Sequence, residues 1–392
     1  MSASANTNYI GSNNRIDFYE TAHGVIPKGN ANTAADDWTG FSLNINRSVK
    51  AGKTFTNEIT STYNLVYTAG IYLGGVLAPN GDIHFAFNSG NRGQKISPEG
   101  VVSTYSLLYT QSTLLGAGAY SGGVLSPSGE IHFVPHNATR GQKISANGTV
   151  YTYNLSVFDG ANTFTSGAYK GGVADLNGEI HFIPYSANRG QKIAANGVVS
   201  TYNLTYTGSI LYSGGVLSPS GEIHFVPYFA TVGQKIAANN YVSTYALAYT
   251  KNDAYQGGVL APNGDIHFVP YAAVVGQKVA ANNHVSTYSL IYTSAFTIAG
   301  GYWGGVLAPN GDVHFVPCDA PVGQKVSTTG VVSTYSLTYT NSNGVYTGGI
   351  LTPTGDIHFI TSIPGTQHQI LYTNSGRPLD FGTCASPYLN KF

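Results

Sequence analysis

The chain has 392 residues, of which only 9% are Asp, Glu, Lys or Arg, well below the ~25% usual for soluble domains. Lys plus Arg equals Asp plus Glu at 18 each, and this balance excludes both a nucleic-acid binder with a basic face and a protein held electrostatically on a membrane surface. Cys318 and Cys384 are too few for a disulfide framework or a cysteine zinc site, and no apolar run approaches the ~18 residues that span a bilayer.

Residues 1–60 form a segment that is rich in Asn, Thr and Ala and lies outside the repeats that follow. They predict an irregular arm or small docking segment. The opening string MSASANTNYIGSNNR lacks a basic region followed by an apolar one, so we expect no signal peptide and synthesis in a cytosol. Residues 375–392 predict a short tail.

Between these segments the chain repeats at intervals of about 45 residues. Each repeat begins with a Gly-Gly pair and a string such as GGVLAPNGDIHFVP, and an STYSL-like segment follows. A GQK triplet separates the two in the first six repeats. The pairs begin at Gly74, Gly122, Gly171, Gly214, Gly257, Gly304 and Gly348.

Each repeat predicts four short β-strands. GGVL is an apolar strand, APNG or SPSG is a turn, and DIHFVPY alternates with Asp and His on one face and Ile and Phe on the other. GQKI ends in a second turn, and VSTYSL is rich in β-branched and aromatic residues. Four-stranded units of this length stack radially, so the fold class is all-β, a seven-bladed β-propeller over residues 61–374.

The ends of the repeat region predict how the ring closes. An extra STYNLVYT precedes the first Gly-Gly pair, and the seventh repeat stops early at QILYT. The N-terminal strand can therefore complete the last blade and leave no free sheet edge.

A histidine and an acid recur in every repeat. Because catalysis uses one constellation and a metal needs ligands that converge on one ion, we predict a buried structural network and neither catalytic residues nor a metal site. Each acid lies two residues before its histidine, and six of the pairs are followed by the GQK lysine. The histidines are His84, His132, His181, His224, His267, His314 and His358.

Binding residues are predicted where the repeats differ. The fourth-to-first and second-to-third connections vary and emerge on one face, where binding loops on a rigid scaffold would lie. The residue just before GQK is arginine in the first three blades and valine in the next three. Neighbouring blades would therefore present a basic arc and an apolar arc. The predicted binding residues are Arg92, Arg140, Arg189, Val232, Val275 and Val322, together with Trp303 at the end of one variable connection.

Known catalytic motifs fail to match. AGKT at residues 51–54 lacks the earlier glycine of a phosphate loop, and GAGAYSG at 116–122 joins two strands and has no helix to hold a pyrophosphate. The sequence contains no Gly-x-Ser-x-Gly elbow and no HExxH. We therefore expect no cofactor.

The string GGVLAPNGDIHFVPY…GQKI…STYSL resembles kelch-like propeller repeats over about four-fifths of the chain, although the kelch Tyr and Trp spacing is missing. The near-identical, low-charge repeats and the Asn/Thr/Gly-rich arm are also similar to virion proteins of tailed bacteriophages. This resemblance implies a decoration, fibre or receptor-binding protein. It would be made in the host cytoplasm and held in a virion assembly through residues 1–60, with a host-surface glycan or protein as partner.

Three function classes are left open. The first is the non-enzymatic virion component, acting without nucleic acid or membrane insertion and oligomeric within its assembly. The second is a lectin with sites between blades. The third is a glycan-processing enzyme with one pocket of strongly perturbed titratable groups.

Overall fold

The structure, a computed structural model, describes residues 17–21, 24–28, 59–110, 118–156, 167–293, 300–338, 346–353, 355–362 and 368–372. Asp17–Thr21 and Gly24–Lys28 pair as an antiparallel hairpin. The other strands form seven four-stranded antiparallel sheets, the blades. The described residues contain no helix, and therefore no helix that is long and apolar enough to span a membrane. The predicted all-β, seven-bladed fold is confirmed.

The four strands of a blade are consecutive in the chain, except in blade 7, whose fourth strand precedes blade 1. From blade 1 to blade 7, the first strands are Ile71–Leu77, Tyr120–Leu125, Tyr169–Ala174, Tyr212–Leu217, Tyr255–Leu260, Tyr302–Leu307 and Tyr346–Leu351. The second strands are Ile83–Ser89, Ile131–Pro135, Ile180–Pro184, Ile223–Pro227, Ile266–Pro270, Val313–Pro317 and Ile357–Thr361. The third strands are Arg92–Ile96, Arg140–Ile144, Arg189–Ile193, Val232–Ile236, Val275–Val279, Val322–Val326 and His368–Tyr372. The fourth strands are Val102–Ser106, Val150–Asn154, Val199–Asn203, Val242–Ala246, Val285–Ser289, Val332–Ser336 and, for blade 7, Ile59–Tyr63.

Ring closure follows the predicted route, since the N-terminal strand pairs with the last strand of the chain. Ile59 lies opposite Tyr372 and Tyr63 opposite His368. The strand begins two residues before the predicted boundary at residue 61 and ends at Tyr63, so the residues after it form the connection to blade 1. The first strand of each blade contacts the first strand of the next, and blade 7 contacts blade 1, so the first strands surround a common axis.

The hydrophobic cores lie between the blades. One core combines Val173 and Ile183 of blade 3 with Tyr212 and Phe225 of blade 4, and the other interfaces repeat the pattern. Each second strand is therefore buried on both faces, where the sequence pattern predicted only an alternation. Close approach explains the Gly-Gly pair: a Cβ on Gly257, at φ 79°, would lie 2.9 Å from Gly304 Cα, and one on Gly258 would lie 2.8 Å from Val216.

The GQK glutamine is a fully buried clasp between blades. Gln234 of blade 4 accepts hydrogen bonds at its Oε1 from the N–H groups of Thr205 (3.1 Å) and Tyr206 (2.8 Å), where the chain leaves blade 3. The sequence analysis missed this role of the triplet. Its glycine has a separate purpose, since a Cβ on Gly233 would lie 2.3 Å from the ring of Tyr245. The equivalent glutamines of blades 1, 2, 5 and 6 hold two N–H groups each in the same way.

Replacing the clasp should destabilise the ring. Gln234→Leu introduces an apolar side chain of similar size and leaves the N–H groups of Thr205 and Tyr206 without their acceptor, so we expect the free energy of unfolding to fall by about 1–3 kcal/mol in urea titrations. Thr244→Val, at the exposed position opposite Gln234 in the sheet, is the matched control and should change it by less than about 0.5 kcal/mol. Equal effects of the two substitutions would contradict the clasp.

Closure can be tested with two truncations. Removal of residues 1–58 keeps the closing strand, whereas removal of residues 1–64 leaves blade 7 with a free edge at His368–Tyr372. We expect the second variant to unfold at a lower temperature, in a broader transition. Circular dichroism melting measures both, and coincident curves would show that the strand pairing contributes nothing to the ring.

Candidate functional site

Seven side chains point toward the axis because each blade bends its first strand at the same place. In blade 3, Tyr169 pairs with Pro184 and Gly172 with Phe182, so the first strand carries one extra residue, a β-bulge next to Gly171 at φ 73°. Such bulges re-aim a side chain. The residues aimed in this way line an axial cavity of about 40 Å³ and differ between almost all blades: Leu73, Ser121, Lys170, Ser213, Gln256, Trp303 and Thr347.

Lys170 and Trp303 contact each other across this axis. The Lys170 Nζ lies 4.5 Å from the Trp303 ring centroid, 5.1 Å from that of Tyr185 and 5.2 Å from that of Tyr228. With its amide oxygen turned toward these two donors, Gln256 accepts from Trp303 Nε1 at 2.9 Å and from Lys170 Nζ at 3.3 Å. The axial cavity has about the volume of one water molecule, so these side chains form a floor.

The wall above this floor is aromatic on one side. Tyr185, Tyr228 and Tyr271 occupy the position after the second strand in blades 3, 4 and 5, with centroid separations of 6.0 Å between neighbours. Tyr271 then meets Trp303 edge-on at 5.9 Å. Cys318, which is only 4% exposed, takes the same position in blade 6. We call Lys170, Tyr185, Tyr228, Asp253, Gln256, Tyr271, Trp303 and Cys318 the channel-mouth site.

Asp253 gives this wall a fixed negative charge. It has φ 59°, as the equivalent Gly167 and Ile210 of blades 3 and 4 have φ 88° and 63°, and Asp tolerates this region better than most residues. After desolvation, the Asp253 carboxylate is the next cause that raises the pKa of Tyr228. Desolvation and the Asp253 charge raise the pKa of Tyr185 to about 12, so this phenol keeps its proton at neutral pH.

The electrostatics of the site favour a neutral amine. Desolvation by burial lowers the pKa of Lys170 to about 7, and the Asp253 charge opposes the shift only in part. The Trp303 face also favours the ammonium form. Desolvation raises the pKa of Cys318 to about 12, so this thiol is not an ionised nucleophile at neutral pH.

The seven repeated histidines lie inside the blades, away from this site. Each is at most 8% exposed, and its Nδ1 lies 3.1–3.4 Å from the hydroxyl of a fourth-strand tyrosine. Burial lowers the pKa of His84, His224, His267 and His358 to about 4. The GQK lysines contact their acids at 2.5–3.0 Å and are 17–35% exposed. The same buried contact between histidine and tyrosine therefore repeats in every blade.

The predicted binding residues are divided between two places. Trp303 belongs to the channel-mouth site, but Arg92, Arg140 and Arg189 lie exposed at the starts of third strands, one to a blade. Val232, Val275 and Val322 occupy the same slot half-buried. Sequence analysis missed Lys170 and Gln256, and the available signal was the residue before the Gly-Gly pair, which differs between almost all repeats.

Comparisons with known proteins bear on the fold. No model of a known protein family matches the chain, and no curated protein matches it. Among solved structures, a streptogramin B lyase is 18% identical with TM-score 0.67, covering 82% of this chain and 99% of its own. A catalytically inactive virginiamycin B lyase from Staphylococcus aureus with quinupristin is 16% identical with TM-score 0.66, covering 81% and 100%. The extracellular domain of a hybrid two-component system from B. thetaiotaomicron is 11% identical with TM-score 0.59, covering 80% and 42%. At these identities the likeness shows a shared propeller fold.

These findings correct two expectations. The similar structures are neither kelch nor phage proteins, so the propeller is confirmed while the kelch and virion resemblances find no support. The expectation of a non-enzymatic protein is contradicted, because the ring taken for a passive scaffold has the fold of lyases. Of the channel-mouth residues, the sequence analysis had named only Trp303 as a binding residue.

Lys170 should make the stability depend on pH in a defined window. The native amine releases its proton near pH 7 and an unfolded lysine near pH ~10.4, so between these values the unfolded state binds more protons and the native state gains stability as pH rises. Lys170→Met removes this dependence. Relative to wild type, we expect the variant to be more stable by about 3–5 kcal/mol below pH 7, with the difference vanishing toward pH ~10.4. Urea unfolding at pH 6, 8 and 10 measures it, and a constant difference would refute the low pKa.

Proposed function

We propose that the protein is an enzyme whose active site is the channel-mouth site, and that it catalyses base-promoted eliminations, the reaction class of lyases. The observation that carries this proposal is the Lys170 amine, held against the Trp303 ring within an aromatic wall. An amine whose pKa lies near 7 is in part unprotonated at neutral pH and can therefore act as a general base. The lyases among the similar structures support the reaction class, since their ring has the same shape.

The side chains divide the chemistry between them. Lys170 accepts the proton from carbon, and Gln256 and Trp303 orient its amine. Tyr185 is a phenol that keeps its proton and can donate it to the departing oxygen or nitrogen. Tyr228, whose pKa is raised by desolvation and by Asp253, contributes a ring face. Aromatic walls and a single amine suit an uncharged substrate with a flat or cyclic group.

A generic probe tests the base without knowledge of the natural substrate. In 5-nitrobenzisoxazole, removal of the ring C–H proton breaks the N–O bond, and the product is a coloured cyanonitrophenolate. We expect turnover above the buffer rate, with a pH profile that rises around pH 7 as Lys170 loses its proton. Lys170→Met and Lys170→Arg should both fall at least tenfold.

Lys251→Met is the matched control, because this exposed lysine lies near the same face, where its Nζ donates to the Ala272 carbonyl. It should retain the wild-type rate. If Lys170→Met keeps the rate, or if Lys251→Met loses as much, the proposed base is wrong.

Attachment to a larger particle through residues 1–60, synthesis in a host cytoplasm and glycan binding between blades stay predictions. The arm falls almost wholly outside the described residues. The comparisons lend a virion role no support.

A further inference from the structure

Blade 3 differs from every other blade by one buried acid. Asp175 follows its first strand, where the other blades carry Ala78, Ser126, Ser218, Ala261, Ala308 and Thr352. Asp175 is 5% exposed, and its Oδ1 accepts hydrogen bonds from the N–H groups of Asn177 (2.9 Å) and Glu179 (2.7 Å). The Asn177 amide donates to Oδ2 at 3.2 Å. These contacts fix the carboxylate inside the turn.

This acid completes a cluster of three donor atoms. Asp175 Oδ2 lies 3.8 Å from His181 Nε2, which lies 3.9 Å from Glu179 Oε2. Ligand atoms of the three residues all lie within 4.8 Å of one another, and no other such group occurs in the part of the chain that the structure describes. A tetrahedral ion with ligands at about 2.1 Å would separate its ligand atoms by about 3.4 Å, so shifts of a few tenths of an ångström would suffice for the two measured contacts.

His181 presents an unused nitrogen to this cluster. The side chain is 1% exposed, and its Nε2 has no hydrogen-bond partner. Its Nδ1 lies 3.4 Å from the Tyr202 hydroxyl, and donation of the Nδ1 proton there leaves the Nε2 lone pair facing the two carboxylates. A ligating histidine is held in this way, by a hydrogen bond from its other nitrogen. A buried, unpartnered nitrogen is costly, and a cation would satisfy it.

We propose that Asp175, Glu179 and His181 form a binding site for a divalent transition metal, with Zn²⁺ the ion best suited to two carboxylates and one imidazole. Three protein ligands leave a fourth position for water. The Glu179 side chain is 18% exposed and gives the ion a path from solvent. Lys192 contacts both Glu179 oxygens, at 2.9 and 2.7 Å, and can keep Oε1 while Oε2 turns to the metal. Asn240 also donates to Oε2, at 3.3 Å.

The charges of the cluster agree with a cation. Two carboxylates face one ammonium, Lys192, so an additional positive charge is favourable. The sequence analysis predicted no metal site because equivalent residues of different blades lie too far apart. The structure instead brings three donors together within one blade.

Blade 4 is an internal control for this site. It repeats the constellation with serine in place of Asp175: a histidine Nε2 lies 3.7 Å from an acid that also contacts a lysine at 2.7 Å and an asparagine at 3.2 Å. These residues are Ser218, Glu222, His224, Lys235 and Asn283.

Calorimetric titration of the tag-free, EDTA-treated chain with ZnCl₂ tests the proposal. We expect one equivalent to bind, and Asp175→Ser to weaken this binding at least tenfold. The substitution restores the residue of blades 2 and 4, so the variant should melt like wild type without metal. In the Asp175→Ser background, Ser218→Asp should restore one equivalent by building the same site in blade 4.

Saturating ZnCl₂ should also raise the unfolding temperature of wild type and of the double variant, but not that of Asp175→Ser. No binding by wild type, or equal binding by wild type and Asp175→Ser, would overturn the proposal. The titration involves no turnover, so its outcome is independent of the Lys170 chemistry.

Discussion

A buried side-chain amide crosses six of the seven blade interfaces and joins the backbones of neighbouring blades. Gln234 has no solvent contact, and its oxygen holds the backbone where the chain leaves the preceding blade. An apolar interface alone tolerates sliding, but a buried N–H that loses its acceptor costs about 1–3 kcal/mol, so the amide fixes one register. With the register fixed, every first strand reaches the axis at the same height. The axial side chains then meet as one ring.

The last blade solves the same problem with different residues. Gln369 takes the clasp position, but His368 stands where the other blades have glycine and Ile370 where they have lysine. In the other blades a tyrosine ring packs on this glycine, which has no side chain. At His368 the side chain occupies that space, and the Tyr63 hydroxyl lies 3.2 Å from His368 Nδ1 and 3.3 Å from His358 Nδ1. Phe85 of blade 1 stacks on His368 at 4.9 Å. Closure therefore joins three segments that are distant in sequence.

The sequence predicted the ring because its signals are local and repeated: an alternating strand, a Pro-Asn-Gly turn and a closing strand before the first repeat. The network histidines could be placed for the same reason. The candidate site could not, since no local pattern says which of four strands faces the axis. Arg92 and Val232 were predicted because both directly precede the GQK motif and can be compared between repeats. Lys170 is recognisable as a site residue only through its contact with Trp303, three blades away. The extra residue of the bulge that aims Lys170 is visible only in the pairing register.

A repeat ring acquires a site by changing one copy of a shared position, because the other copies keep the fold. Asp253 adopts a left-handed backbone conformation at a cost of about 1–3 kcal/mol and places a carboxylate beside Tyr228. Lys170 carries a desolvation cost at a bulge that holds serine, leucine or threonine in four other blades. Asp175 is buried in a turn that serine closes equally well in blades 2 and 4. The blade fold requires none of these residues. Each of them lowers the stability of its blade or adds a charge that the blade does not balance. Such departures from a repeat indicate function more strongly than the residues all blades share, since shared residues are explained by packing alone.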